Sequence, residues 1–437
     1  MFVRLKSFLN PPITGFSAPW RVFWVGFLVR LAYMTLAHTY RLKSYAYNDH
    51  FDYGFEAARI ARALVEGDGY ADAFANVAAR HNGPTAWLPP LYPVLIAGVF
   101  KVFGVYTKLS AWVILAINCV FSGFTARSVW EIGSRFAGRR CGLWAGWIWA
   151  LYPAAMQYAV RWIWEMTVTT ALFTWVVVLT LRMRQETKNQ TRKWLIFGVL
   201  WGLIALSNST LLLFLPVCGI WVLMGTRQMR NAVLAGVVFV AVIAPWSVRN
   251  YLVFHAFIPM RGNFGAELYL GNGPGSTGFL MDYDHPFRAP EQLKLYGEMG
   301  EVRYVAMRGA AAKAYIAADP LHFVKDTALR VYFFWASVPH PSDGKVGEEI
   351  VEAVRTLDFA LISLCGLMGL GLALRRRVPG AGLFAWAFVL LPIPYYLVTA
   401  HARFRHPLEP LICVLGVYLF QSAERKNRCL ERGISLE

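Results

Sequence analysis

The stretch YAYNDHFDYGFEAARIARALVEGDGY, residues 45–70, is the first polar interval after the first apolar run of membrane length. GPTAWLPPLYP at 83–93 follows it. Its acids Asp49, Asp52 and Glu56 are spaced by three and four residues, with Arg59 three further on. On a helix those spacings put all of them on one face. Outward from this stretch the chain is mostly apolar runs of spanning length, separated by short basic clusters. That pattern predicts an all-α polytopic membrane protein of about ten transmembrane helices, with juxtamembrane helices on its outer face.

Composition agrees. The 437 residues are 57% hydrophobic and only 16% charged, and mean hydropathy is +0.42. A soluble chain of this length needs more charge to cover its surface. The net charge of +17 is dispersed between apolar runs, as positive-inside topology produces, rather than gathered in one patch. This distribution speaks against nucleic acid as a partner. The six cysteines lie in apolar runs or beside basic clusters, and no CxxC or Cys/His zinc spacing occurs. The residues therefore imply no cofactor, no structural metal and no divalent-metal requirement.

A basic N-terminus (Arg4, Lys6, Arg21) precedes a first span at about 20–40 and places that end in the cytoplasm. Further spans are read at about 108–131, 141–158, 166–182, two within 194–225, and 231–246. The last three are read at about 355–374, 381–399 and 408–421. The short run 91–104, carrying Lys101, is read as an interfacial helix, because every basic cluster then falls on one side. Three regions follow: an N-terminal module 1–249 with its first outer loop at about 41–107, an outer loop region 250–352, and a C-terminal module 353–437 with a basic tail. Both termini are expected inside.

Several polar groups stand out against this scaffold. Gathered carboxylates such as Asp49, Asp52 and Glu56 raise one another's pKa and suit general-base work; the plainer reading is a solvated face paired with Arg59 and Arg62. Glu165 lies where the third span turns into the fourth, a costly place for an unpaired acid; an ion pair with Arg161 is its plainer reading. Arg403, Arg405 and His406 in ARFRHPLEP, with Arg249 at the end of the seventh span, suit a phosphate at the outer boundary. Snorkelling to headgroups is the alternative for them. Asn208-Ser209-Thr210 has glycosylation-acceptor form but lies in an apolar hairpin, and GNGPGSTG lacks a P-loop lysine.

With these segments in order, the chain resembles the bacterial GT-C glycosyltransferases, the superfamily of protein O-mannosyltransferases and aminoarabinose transferases. FEAARIARALVEGDGY with GPTAWLPPLYPVLIAGVFKVFG looks like that family's first outer loop. APWSVRNYLVFHAFIPMRGNFGAELYLGN looks like the exit of a middle span, and HARFRHPLEPLI like its R-[YF]-R-x-P-[IL]-x-P segment. The resemblance implies a polyprenyl-phosphate sugar donor, a periplasmic active site and a first-loop carboxylate as base. Many relatives begin that loop with adjacent Asp-Glu. This chain offers Asp49-His50, Asp52-Tyr53 and Phe55-Glu56, which leaves the base open among three acids. Glu165 occupies the place of the relatives' second acid.

The reading that follows is a bacterial inner-membrane glycosyltransferase moving a sugar from that donor to a hydroxyl on a lipid, glycan or protein acceptor, by a single inverting displacement. Asp52, Glu56 or Asp49 would take the proton. Arg403 and Arg405, helped by Arg249 and His406, would hold the phosphate. The rival class is a transporter or lipid flippase for an envelope glycan precursor, although the sequence shows no inverted repeat.

Overall fold

A computed structural model of the chain describes residues 18–42, 53–75, 80–185, 190–338 and 346–431. Asp49 and Asp52 lie outside these residues. The regular elements of the described residues are all helices, joined by loops, with one isolated bridge between Ala71 and Pro84. Helix α1 is Pro19–Leu36, α2 Glu56–Glu66, α3 Leu91–Phe103 and α4 Lys108–Ala137. Then come α5 Arg139–Leu151, α6 Pro153–Val160, α7 Met166–Gln185 and α8 Thr191–Ala205. A 3-10 turn, Ser209–Phe214, leads into α9 Leu215–Thr226 and α10 Met229–Phe254. The polar region holds α11 Phe264–Asn272, α12 Pro290–Met299, α13 Glu301–Ala318 and α14 Pro320–Ala336. The chain closes with α15 Val346–Arg375, α16 Ala381–Leu390, α17 Ile393–Leu397 and α18 Glu409–Glu431.

Each run read as a span is helical, and the lengths differ among them. Among the described residues five stretches are long and apolar enough to cross a membrane: Lys108–Ala137, Met166–Gln185, Ser209–Thr226, Met229–Phe254 and Glu349–Arg375. Leu91–Phe103, Ala381–Leu397 and Glu409–Ala423 are shorter apolar helices. The run 141–158 is not one helix. Pro153 divides it, because proline supplies no N–H and pushes Tyr152 to extended backbone (φ −71°, ψ 119°).

That break is used. The carbonyls of Trp149 and Ala150, in the last turn of α5, accept from the fully buried guanidinium of Arg30 in α1 at 2.9 and 2.6 Å. The Trp149 carbonyl is the one a Pro153 N–H would have taken in a continuous helix. A cation at a helix C-terminus also meets the negative end of the dipole. Helices α4 and α5 cross at Gly133 and Gly142, where a methyl on Gly133 would lie 2.9 Å from the Gly142 Cα. Small residues permit that approach without any water-driven force between the helices.

The two ends of the bundle differ in chemistry. At one end Glu131 binds Arg182 through both oxygens at 2.6 and 2.5 Å and Arg135 at 3.0 Å. Arg139, Arg184, Arg227 and Arg375 lie at helix ends joined on this side. At the other end the loops on either side of α2 and α3 meet the 161–165 turn, the α10–α14 region and the 398–408 loop.

Candidate active site

The first outer loop is clasped from two directions. Arg249, near the end of α10, donates to the carbonyls of Tyr70 at 2.7 Å and Thr85 at 2.8 Å. The buried carboxylate of Glu301, at the start of α13, accepts from Thr85 Oγ1 (2.5 Å), the Ala86 N–H (2.7 Å) and the Tyr296 hydroxyl (2.8 Å). Burial raises the Glu301 carboxyl above its ordinary range, and these three hydrogen bonds pull it back. Arg249 thus clamps the backbone of the first loop, and the Tyr70 carbonyl it meets also accepts from the Thr85 N–H at 3.1 Å.

Helix α2 starts at Glu56. Gly54 (φ +90°) and Phe55 (φ +55°) both have left-handed backbone, so the helix does not extend back through them. The single acid face expected over 49–59 is therefore interrupted at 54–55. Gly54 is required where it stands, since a Cβ there would overlap the carbonyl oxygen of Ile163. The first loop is thereby seated directly on the turn that carries Glu165. Arg59 is buried, donating to the carbonyls of Ala75 (2.7 Å) and Phe55 (2.6 Å) and lying over Phe287.

Glu56 is largely buried, with His285 Nε2 3.9 Å from one carboxyl oxygen. Burial pushes its carboxyl up, opposed by the helix backbone and by the charges of Arg59, Arg403 and Arg261. Glu165 behaves alike: burial raises it, Arg403 pulls back most strongly, Arg261 also lowers it, and the Glu56 charge raises it further. Two acids distant in sequence thus share one field with the same two guanidiniums. Trp164, beside Glu165, stacks flat on Trp162 (4.6 Å, 8°) and contacts Phe55, the residue before Glu56, at 6.0 Å. The Arg403 guanidinium lies 4.5 Å over the Trp164 ring.

The other two groups of the ARFRHP segment face elsewhere. Arg405 is buried, donating to Ser363 Oγ and the Phe359 carbonyl, paired with Glu409 at 3.5 Å and set over the Phe359 ring. His406 is buried against Trp149 and Tyr158, with Nδ1 2.9 Å from Glu409. Both were expected at a donor phosphate. The structure instead uses them to tie the start of α18 to α15 and α5.

Arg261 is not singled out by the sequence, whereas His285, with Asp282 and Asp284, reads there as a polar loop residue open to acceptor contact. Arg261 donates to the Trp87 carbonyl (3.1 Å) and to Glu267 (3.2 Å), which turns it toward the same field. Arg261 sits in no local pattern that would mark it. Asn208 is buried and bonded to Thr210, which in turn meets the Tyr395 hydroxyl at 2.8 Å, so the acceptor-like triplet is a structural knot. Asp68, Asp72 and His81 bring ligand atoms within 4.8 Å of one another, a group able to hold a metal ion. It lies past the far end of α2, about 15 Å of helix rise from Glu56. Asp72 there already accepts from the Asn82 and Gly83 N–H groups and meets His81 at 3.1 Å.

Residues 88–248 match the model of the dolichyl-phosphate-mannose-protein mannosyltransferase family. No curated protein sequence matches the chain. Among solved structures, the oligosaccharyltransferase of Archaeoglobus fulgidus in its apo form aligns over 98% of this chain and 52% of its own, with TM-score 0.54 and 14% identity. The same enzyme, AglB, with an inhibitory peptide and a dolichol-phosphate gives TM-score 0.51 at 13% identity over 96% of this chain. ArnT from Cupriavidus metallidurans bound to undecaprenyl phosphate aligns over 92% of this chain and 79% of its own, at TM-score 0.41 and 13% identity. The chain spans about half the length of the archaeal enzyme. The chain is thus an all-α polytopic membrane protein that matches the protein-mannosyltransferase family model over 88–248 and shares its fold, over almost its whole length, with the membrane part of an archaeal oligosaccharyltransferase structure.

Proposed function

We propose that the protein transfers a sugar from a polyprenyl-phosphate donor to an acceptor hydroxyl, at the bundle end where Glu56, Glu165, Arg403 and Arg261 meet. The observation that carries this reading is that convergence. Two carboxyls raised by burial and two guanidiniums reach one place from four separate segments. Proton-accepting and phosphate-holding groups are the pair of functions a glycosyl phosphate transfer requires.

In this reading Arg403 contacts the donor phosphate, and Glu56 takes the acceptor's proton. The acceptor oxygen bonds to the anomeric carbon as the carbon–oxygen bond to phosphate breaks, with its electron pair leaving on phosphate. A single displacement inverts the anomeric centre. Glu165 shares the field of Glu56, whose charge raises the Glu165 carboxyl. Guanidiniums supply the positive charge, so the step calls for no divalent cation. The site faces the periplasm of a bacterial inner membrane and both termini are cytoplasmic, following the basic helix ends opposite. The lipid tail lies between helices, and the acceptor is a lipid, glycan or protein.

Sugar transfer in proteoliposomes tests this. Glu56→Gln and Arg403→Ala should each lower turnover by about 100-fold or more, and transfer should release free polyprenyl phosphate. Near wild-type turnover in both variants would remove the site. Absence of released phosphate, with the lipid-linked sugar merely changing leaflet, would make the protein a flippase.

A further inference from the structure

Arg403 differs from four other arginines at this end of the molecule. Arg249, Arg59, Arg261 and Arg405 each spend their N–H groups on carbonyls, carboxylates or a hydroxyl. Among the described residues the Arg403 guanidinium donates to none of these, and its Nε is buried without a partner. What holds it is aromatic: Trp164 at 4.5 Å and Phe404 at 5.0 Å. A guanidinium lying flat on a ring is held through its face, which leaves the N–H edge free for an anion.

The platform is itself fixed. Trp164 lies parallel to Trp162, and Arg161 stands 5.5 Å over the Trp162 ring, so two indoles lie between two cations. The Trp162 carbonyl accepts from the buried Asn118 of α4 at 3.4 Å, and Asn118 also donates to the Tyr92 hydroxyl at 3.1 Å. Trp164 also adjoins Glu165 in the chain and touches Phe55, which precedes Glu56. One indole therefore sets the spacing of the free cation from both acids.

We propose that Trp164, backed by Trp162, is a positioning residue that holds the Arg403 N–H edge toward the donor phosphate, a role that rests on the phosphate reading above. The test measures affinity of the full-length protein in nanodiscs for a polyprenyl monophosphate and for the matching polyprenol, which lacks the phosphate. Trp164→Leu should weaken monophosphate binding by about 5- to 30-fold and leave polyprenol binding unchanged. Trp164→Phe, which keeps a ring face and guards against misfolding, should lose less. Arg403→Lys, which keeps the charge but cannot lie flat, should match Trp164→Leu. In an Arg403→Ala background the Trp164 substitutions should cost nothing more. An undiminished loss in that background, or an equal loss with polyprenol, would make Trp164 a packing residue and overturn the proposal. Wild-type phosphate preference in Arg403→Ala would instead remove the phosphate reading itself, and this proposal with it.

Discussion

Glu56 stands at the first helical position of α2, mostly out of water, with a second acid in its field. Burial favours its protonated form, so its folded pKa lies above that of a free glutamate, about 4.3. The folded state therefore binds the proton more tightly than the unfolded one. Its contribution to stability is complete below the unfolded pKa and is lost as pH rises through the raised folded pKa. A base must be deprotonated to act, so kcat/KM should rise with pH along a limb above the ordinary carboxylate range. Coupling between two acids is mutual, so Glu165→Gln should move that limb to lower pH. A pH–rate profile with an unmoved limb would separate Glu165 from the base. At this scale the sequence presents Arg403 and Arg405 as equals. In the 3-10 turn Ala402–Arg405, residues two apart point about 240° around the axis from each other. One therefore meets Trp164 while the other enters the core, a difference that spacing alone does not carry.

Helices were readable because apolar runs of spanning length have few alternatives, and α4, α7, α10 and α15 lie where those runs predict. The breaks were less readable. An acid face over 49–59 needs a helix continuous through 54–55, and the left-handed backbone at Gly54 and Phe55 interrupts it. No helical periodicity warns of such a turn, because the partner that demands it, the Ile163 carbonyl, lies more than a hundred residues away. Gly54→Ala tests the element. It forces a strained φ and pushes the first loop off the Glu165 turn, so transfer should fall at least tenfold while the thermal midpoint moves little, as followed by activity and unfolding on the same sample. Glu301→Gln acts on the other edge of that loop. A Gln amide places an N–H₂ where an oxygen accepted, leaving a buried donor among Thr85, Ala86 and Tyr296 unmatched. A loss of about 1–3 kcal/mol in stability is expected by denaturant titration.

Over the whole molecule, the candidate site draws on positions 56, 165, 261 and 403, which no linear motif connects. Lysine and arginine set an expectation of sidedness, but convergence was not legible, since it depends on how the loops fold over the bundle. Sidedness has its own test in a cysteine-free background. Lys294→Cys, at a side chain 78% exposed, should react with an impermeant maleimide from outside intact cells, and Arg376→Cys only after permeabilisation. The reverse pattern would invert the topology. The buried Arg30 bears on how the molecule is made. Besides the Gly26 carbonyl of its own helix, its acceptors lie 119 and 120 residues later in the chain, so a ribosome delivers the cation to the bilayer well before two of the three carbonyls that hold it. Until α5 arrives, α1 carries an unmatched charge and is a poor membrane segment on its own. Its lasting insertion then belongs to the late part of synthesis, and a chain truncated before residue 149 should be extracted and degraded rather than accumulate.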